Sequence, residues 1–162
     1  MFLRRFLLAS MAMCSLTAVG ALAQSTTSST TTRTISFPLI GLGSTQTAQV
    51  NVVNLATASS SGTAASCTGT IAFLNASGST IGTASSFTVT SGQMYSATLP
   101  FSKSGAAGSH GVVRGVVTVT PASGVPCELE SALEVYDTNT GVDASVTSQT
   151  MSTGNGGANP GR

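Results

Sequence analysis

The sequence predicts an all-β fold, a two-layer antiparallel sandwich of about seven strands. Three observations predict it. Between Thr34 and Val146 the apolar residues recur mainly with a period of two. Gly, Ser, Asn and Pro interrupt them at short intervals, as turns require. Helix-favouring residues are scarce: Lys103 is the only lysine, and no long face of period 3.6 appears.

The strands follow in order. TISFPLIGL (34–42) alternates Ile35, Phe37 and Leu39, and Pro38 marks an edge position or a bulge. QTAQVNVVNL (46–55) supplies Val50, Val52, Val53 and Leu55. TGTIAFLNASGSTIG (68–82) is a strand through Ile71 to Leu74, then a turn from Asn75 to Gly78. SSFTVTSGQMYSATLPF (85–101) is expected to be a hairpin about Ser91-Gly92, with Phe87 and Val89 leading in and Tyr95, Ala97 and Leu99 leading out. HGVVRGVVTVTP (110–121) reads as a central strand, with Arg114 its single charge, expected on the outer face opposite a glutamate across the sheet. The stretches 56–66 and 102–109 read as loops.

CELESALEVYDTNTG (127–141) is the most acidic part of the chain. On a strand, Cys127, Leu129, Ser131, Leu133 and Val135 share one side, and Glu128, Glu130, Ala132, Glu134 and Tyr136 the other. The first set belongs in a core and the second in water. Asp137 to Gly141 then turns the chain into VDASV.

The ends of the chain speak to compartment. MFLRRFLLASMAMCSLTAVGALA carries Arg4 and Arg5, then an apolar run, then Ala21-Leu22-Ala23. That order is expected of a signal peptide over residues 1–23, cleaved before Gln24. The Arg4-Arg5 pair loosely resembles a twin-arginine signal, and ordinary export signals share it. Cys14 follows Met13 rather than a small residue, which argues against lipid attachment. Cleavage leaves 139 residues, enough for one core. The expected organisation is a Ser/Thr-rich disordered segment over 24–33, the sandwich over 34–147, and a disordered Gly/Asn-rich tail over 148–162.

Six basic residues stand against five acidic ones, and without Arg4 and Arg5 the balance is four against five. A net charge of −1 gives no field for nucleic acid or an anionic membrane. After the signal no apolar run approaches the ~20 residues of a membrane span. Cys67 and Cys127 form an even pair, most simply a disulfide in an oxidising compartment. Its loop of 61 residues makes it worth about 4 kcal/mol in the chain-entropy model.

Candidate chemistry is thin. Glu128 and Glu130, i and i+2 on a strand, lie about 7 Å apart, a separation open to a glycosidase pair. Such an enzyme also needs a sugar cleft, and the chain has no tryptophan and two tyrosines. His110 is the only histidine, in GSHGVV, with no GxSxG elbow in the sequence. Asp137 and Asn139 in DTNTG are weak calcium candidates, since the spacing of an EF-hand fails for lack of a following glutamate. No catalytic set, metal site or cofactor is expected. Tyr95 and Tyr136 are the candidate ligand-binding residues.

FPLIGLGSTQTAQVNVVNL (37–55), the cysteine ahead of IAFLNASGSTI (71–81), and CELESALEVYDTNTG resemble segments of short exported bacterial β-sandwich proteins without assigned activity. The cysteine spacing resembles that of immunoglobulin domains. An antibody domain also needs a tryptophan on the disulfide and a tyrosine two residues before the second cysteine, where Val125 stands. The resemblance therefore implies an immunoglobulin-like sandwich and no catalytic residues. The Ser/Thr/Ala/Gly/Val-rich composition also resembles that of pilin subunits, which end in an ordered strand, whereas a Gly/Asn tail is expected here.

The expectation is a secreted, non-enzymatic structural or adhesive protein of the periplasm, cell surface or extracellular space. Its partners would be other envelope or surface proteins or polysaccharide. The alternative is a small carbohydrate- or ligand-binding module that uses the loops at one end of the sandwich.

Overall fold

The computed structural model describes residues 32–122 and 124–152. In this part of the chain nine strands form two antiparallel sheets. They are β1 (Arg33–Ser36), β2 (Ile40–Gly43), β3 (Gln46–Asn54), β4 (Ser66–Asn75), β5 (Thr80–Thr90), β6 (Met94–Pro100), β7 (His110–Val119), β8 (Glu128–Asp137) and β9 (Asp143–Ser152). A short 3₁₀ turn, Phe101–Lys103, follows β6. One sheet has the order β1-β7-β4-β5 with β2 also on β7, and the other β6-β3-β8-β9.

Alternation places the core. On β8, Leu129, Ser131, Leu133 and Val135 are buried while Glu128, Glu130, Ala132 and Glu134 are partly exposed. From the other sheet Val113, Val117 and Val119 of β7 and Ile71 of β4 join the same cluster. Each fully buried side chain of this kind contributes about 1.5–3 kcal/mol. The packing is close enough to require glycine at two inward positions. A Cβ on Gly115 would stand 2.7 Å from Val50 Cγ2 and 3.2 Å from Phe37 Cδ2. One on Gly69 would stand 2.2 Å from the Thr118 carbonyl oxygen and 2.7 Å from Phe87 Cζ.

Cys67 and Cys127 are bonded, with Cα atoms 5.1 Å apart, and stand 60 positions apart in sequence. Cys67 belongs to β4 and Cys127 immediately precedes β8, so the link joins the two sheets.

Several expectations are corrected. The first strand is two: Pro38 interrupts it, and β1 and β2 pair with separate halves of β7. The hairpin about Ser91-Gly92 is not one. β5 pairs with β4 and β6 with β3, so the turn carries the chain from one sheet to the other. Arg114 does stand on the outer side of β7, but its cross-strand neighbour is Leu74, and the glutamates lie in the other sheet. The sandwich also starts earlier and ends later than 34–147. Arg33 opens β1, and β9 runs to Ser152, paired with Glu128. A strand therefore occupies the first part of the expected tail. The expected signal peptide, residues 24–31 and residues 153–162 lie outside the described residues.

Candidate functional site

The outer side of the four-stranded sheet holds the glutamates. Cross-strand register sets Glu134 beside Gln49, Glu130 beside Val53, and Asn51 between Ala132 and Ser96. Short polar side chains at these non-core positions lie down on the sheet and bond to one another. Asn51 Nδ2 donates to Glu134 Oε1 at 2.8 Å. Asn51 Oδ1 accepts from Gln49 Nε2 at 2.8 Å and from Ser96 Oγ at 2.5 Å. The result is a flat row of amides and a carboxylate spanning β6, β3 and β8. Glu128 and Glu130 extend the same side of β8 towards the disulfide.

Charge divides by layer. Glu128, Glu130, Glu134 and Asp137 lie on β8 and Asp143 on β9, which places every carboxylate side chain of the sequence in one sheet. Arg33 and Arg114 lie in the other. Arg114 Nε is buried and has no hydrogen-bond partner among the described residues.

His110 stands exposed at the start of β7, its Nδ1 3.1 Å from Ser109 Oγ. Ser109 immediately precedes His110, which opens β7 of the five-stranded sheet, whereas the acids belong to the other layer. Among the described residues, Ser109 Oγ is the one side-chain atom hydrogen-bonded to the imidazole, and no carboxylate orients it.

Asp137 is engaged in its own turn. Its Oδ1 accepts from the backbone N of Asn139 (2.9 Å) and of Thr140 (3.0 Å) and from Thr140 Oγ1 (3.2 Å). Its Oδ2 accepts from Thr45 Oγ1 at 2.6 Å, and Thr138 Oγ1 donates to the Thr45 carbonyl. The hydrogen bond from Thr45 and those from Thr140 and Asn139 hold the Asp137 carboxyl below its ordinary pKa. Asn139 enters only through its backbone. Among the described residues no group of three or more His, Cys, Asp or Glu is placed to hold a metal ion. This is an Asx-type turn that ties the β8–β9 connection to the β2–β3 turn.

The tyrosines are not brought together. Tyr95 pairs with Val52 near one end of β3 and packs on the core, its ring stacked on Phe87 at 6.0 Å between centroids. Tyr136 pairs with Thr47, five positions away along β3, or about 17 Å, and shares the outer side with the glutamates.

Sequence reasoning passed over Asn54. It is fully buried at the end of β3. Its Oδ1 accepts from the backbone N of Ala56 (3.1 Å) and of Glu128 (3.3 Å), and its Nδ2 donates to the Val89 carbonyl (3.2 Å). It thus links β3, β5 and β8 beside the disulfide. The available signal was an asparagine in phase with Val50 and Val52.

Fold and site define a two-sheet antiparallel sandwich, cross-linked once by sulfur, with an acidic outer face on one layer. No family model, curated protein or solved structure matches the chain. No helix among the described residues is long and apolar enough to cross a membrane.

Proposed function

We propose that this chain is an exported structural or adhesive protein without a catalytic role, acting in the periplasm, at the cell surface or outside the cell. The signal-like N-terminus and the disulfide support export, since such bonds persist in oxidising compartments. One observation carries the adhesive reading: Arg33 and Ser152 both lie at the disulfide end of the sandwich. Arg33 pairs with Val119, Thr120 N bonds to Thr68 O beside Cys67, and Ser152 pairs with Glu128 beside Cys127. The opposite end carries the turns at 44–45, 75–79, 101–109 and 138–142. A tether at either flank would present those turns to a surface protein or polysaccharide.

The alternative, a small carbohydrate- or ligand-binding module, draws on the position of Tyr136 beside those same turns. The test is a pull-down of the mature domain against the envelope fraction of its own source. The reading expects a defined envelope component whose retention is lost when segment 102–109 is replaced by a Gly/Ser linker of equal length. No retention, together with glycoside hydrolysis abolished by Glu130→Gln, overturns it.

A further inference from the structure

Asn75-Ala76-Ser77 is the one Asn-X-Ser/Thr triplet in the sequence with a residue other than proline in the middle. It occupies the turn between β4 and β5, where Ala76 and Ser77 are exposed. The triplet alone is a frequent accident, so its geometry decides.

Asn75 Oδ1 accepts three hydrogen bonds: from Ser77 Oγ at 2.7 Å, Ser77 N at 3.0 Å and Ser79 N at 2.9 Å. Nδ2 donates to no described group and is not buried. Three donors on the carbonyl oxygen withdraw electron density from the carboxamide. They stabilise the negative charge that develops on oxygen as Nδ2 loses a proton, the logic of an oxyanion hole. The hydroxyl at the third position supplies the shortest of the three. A neutral amide is a poor nucleophile; here the donors on Oδ1 ease loss of the Nδ2 proton, and Nδ2 is not buried.

We propose that Asn75 is a glycosylation site, its Nδ2 accepting a sugar from a lipid-linked glycosyl diphosphate through a membrane transferase. The anomeric C–O bond breaks and its electron pair leaves with the diphosphate. The Nδ2–C bond forms, and the Nδ2 proton passes to a base of the transferase. The inference rests on the export part of the proposed function and is independent of the adhesive part.

The test is intact-mass and peptide mass spectrometry of the full-length gene product, recovered from its own source. The expected result is a chain beginning at Gln24 whose Asn75 peptide carries a glycan. The glycan is lost in Ser77→Ala and Asn75→Gln, retained in Ser77→Thr, and unaffected by Ser59→Ala in another turn. Ser77→Ala leaves the two backbone donors in place, and an unchanged thermal midpoint shows that the fold is intact. An unmodified Asn75 in a chain beginning at Gln24 overturns the inference while export stands. An unmodified chain beginning at Met1 overturns both. A glycan that survives Ser77→Ala overturns the assigned role of the hydroxyl.

Discussion

Cys67 of β4 and Cys127 at the entry to β8 are covalently joined across the sandwich, and the buried amide of Asn54 stands beside them. One end of the molecule therefore has a sulfur tie and a polar tie between the same two layers. Replacing both cysteines by serine is expected to cost about 2–5 kcal/mol. Denaturant unfolding measures it; a loss below about 1 kcal/mol would mean that the layers hold together without the bond.

Asn54→Ala strands the backbone N–H groups of Ala56 and Glu128 and the carbonyl of Val89. Each buried group left unpaired carries a penalty, and the expected loss is about 1–3 kcal/mol. Asn51→Ala, on the exposed face, is expected to fall within about 0.5 kcal/mol of the parent. Equal effects at the two positions would contradict the assignment of Asn54 as a tie.

Asp137 has its folded-state pKa lowered, first by the Thr45 hydroxyl and then by Thr140 and Asn139. A depressed folded pKa stabilises the fold above the unfolded-state value, about 3.9 for aspartate. The contribution is lost as pH falls through the lower folded value. Acid unfolding of Asp137→Asn is expected to lose the part of the pH dependence below about pH 4 that this carboxyl contributes. An acid limb identical to the parent's would show that the turn does not depend on the charge.

Gly69 and Gly41 form a matched pair. A methyl on Gly69 collides with Thr118 O and Phe87, whereas one on Gly41 meets nothing within 4 Å. Gly69→Ala is expected to destabilise by about 1–3 kcal/mol through overpacking. Gly41→Ala is expected to be near neutral, because an exposed strand position gains a Cβ without a clash. Thermal melts of the two variants decide between close approach and mere tolerance.

How much of this was legible follows from what each signal encodes. Period-two alternation encodes a face, so the two sides of β8 could be read directly, and the pairing of Cys67 with Cys127 followed from their being an even pair in a chain expected to be exported. Turn residues encode only a reversal. Ser91-Gly92 therefore suggested a hairpin, although the chain crosses between layers there. The sequence signal of β9 fades after Val146 because Ser145, Thr147 and Gln149 take the positions opposite Val135, Leu133 and Ser131, and an edge strand tolerates such polar residues. Asn54 escaped notice because alternation marks a position as inward without saying which polar groups wait there. The cross-strand neighbour of Arg114 escapes alternation for the same reason that the layer crossing at Ser91-Gly92 does: sheet membership is a property of pairing across long separations.

The most direct measurement is equilibrium unfolding of Leu129→Ala beside Glu130→Ala, adjacent residues on opposite sides of β8. Leu129 is fully enclosed and Glu130 is not. A loss of about 2–5 kcal/mol at Leu129 with a change of no more than about 0.5 kcal/mol at Glu130 is the predicted result. Similar losses at both positions, or a larger one at Glu130, would contradict a sandwich closed on that face.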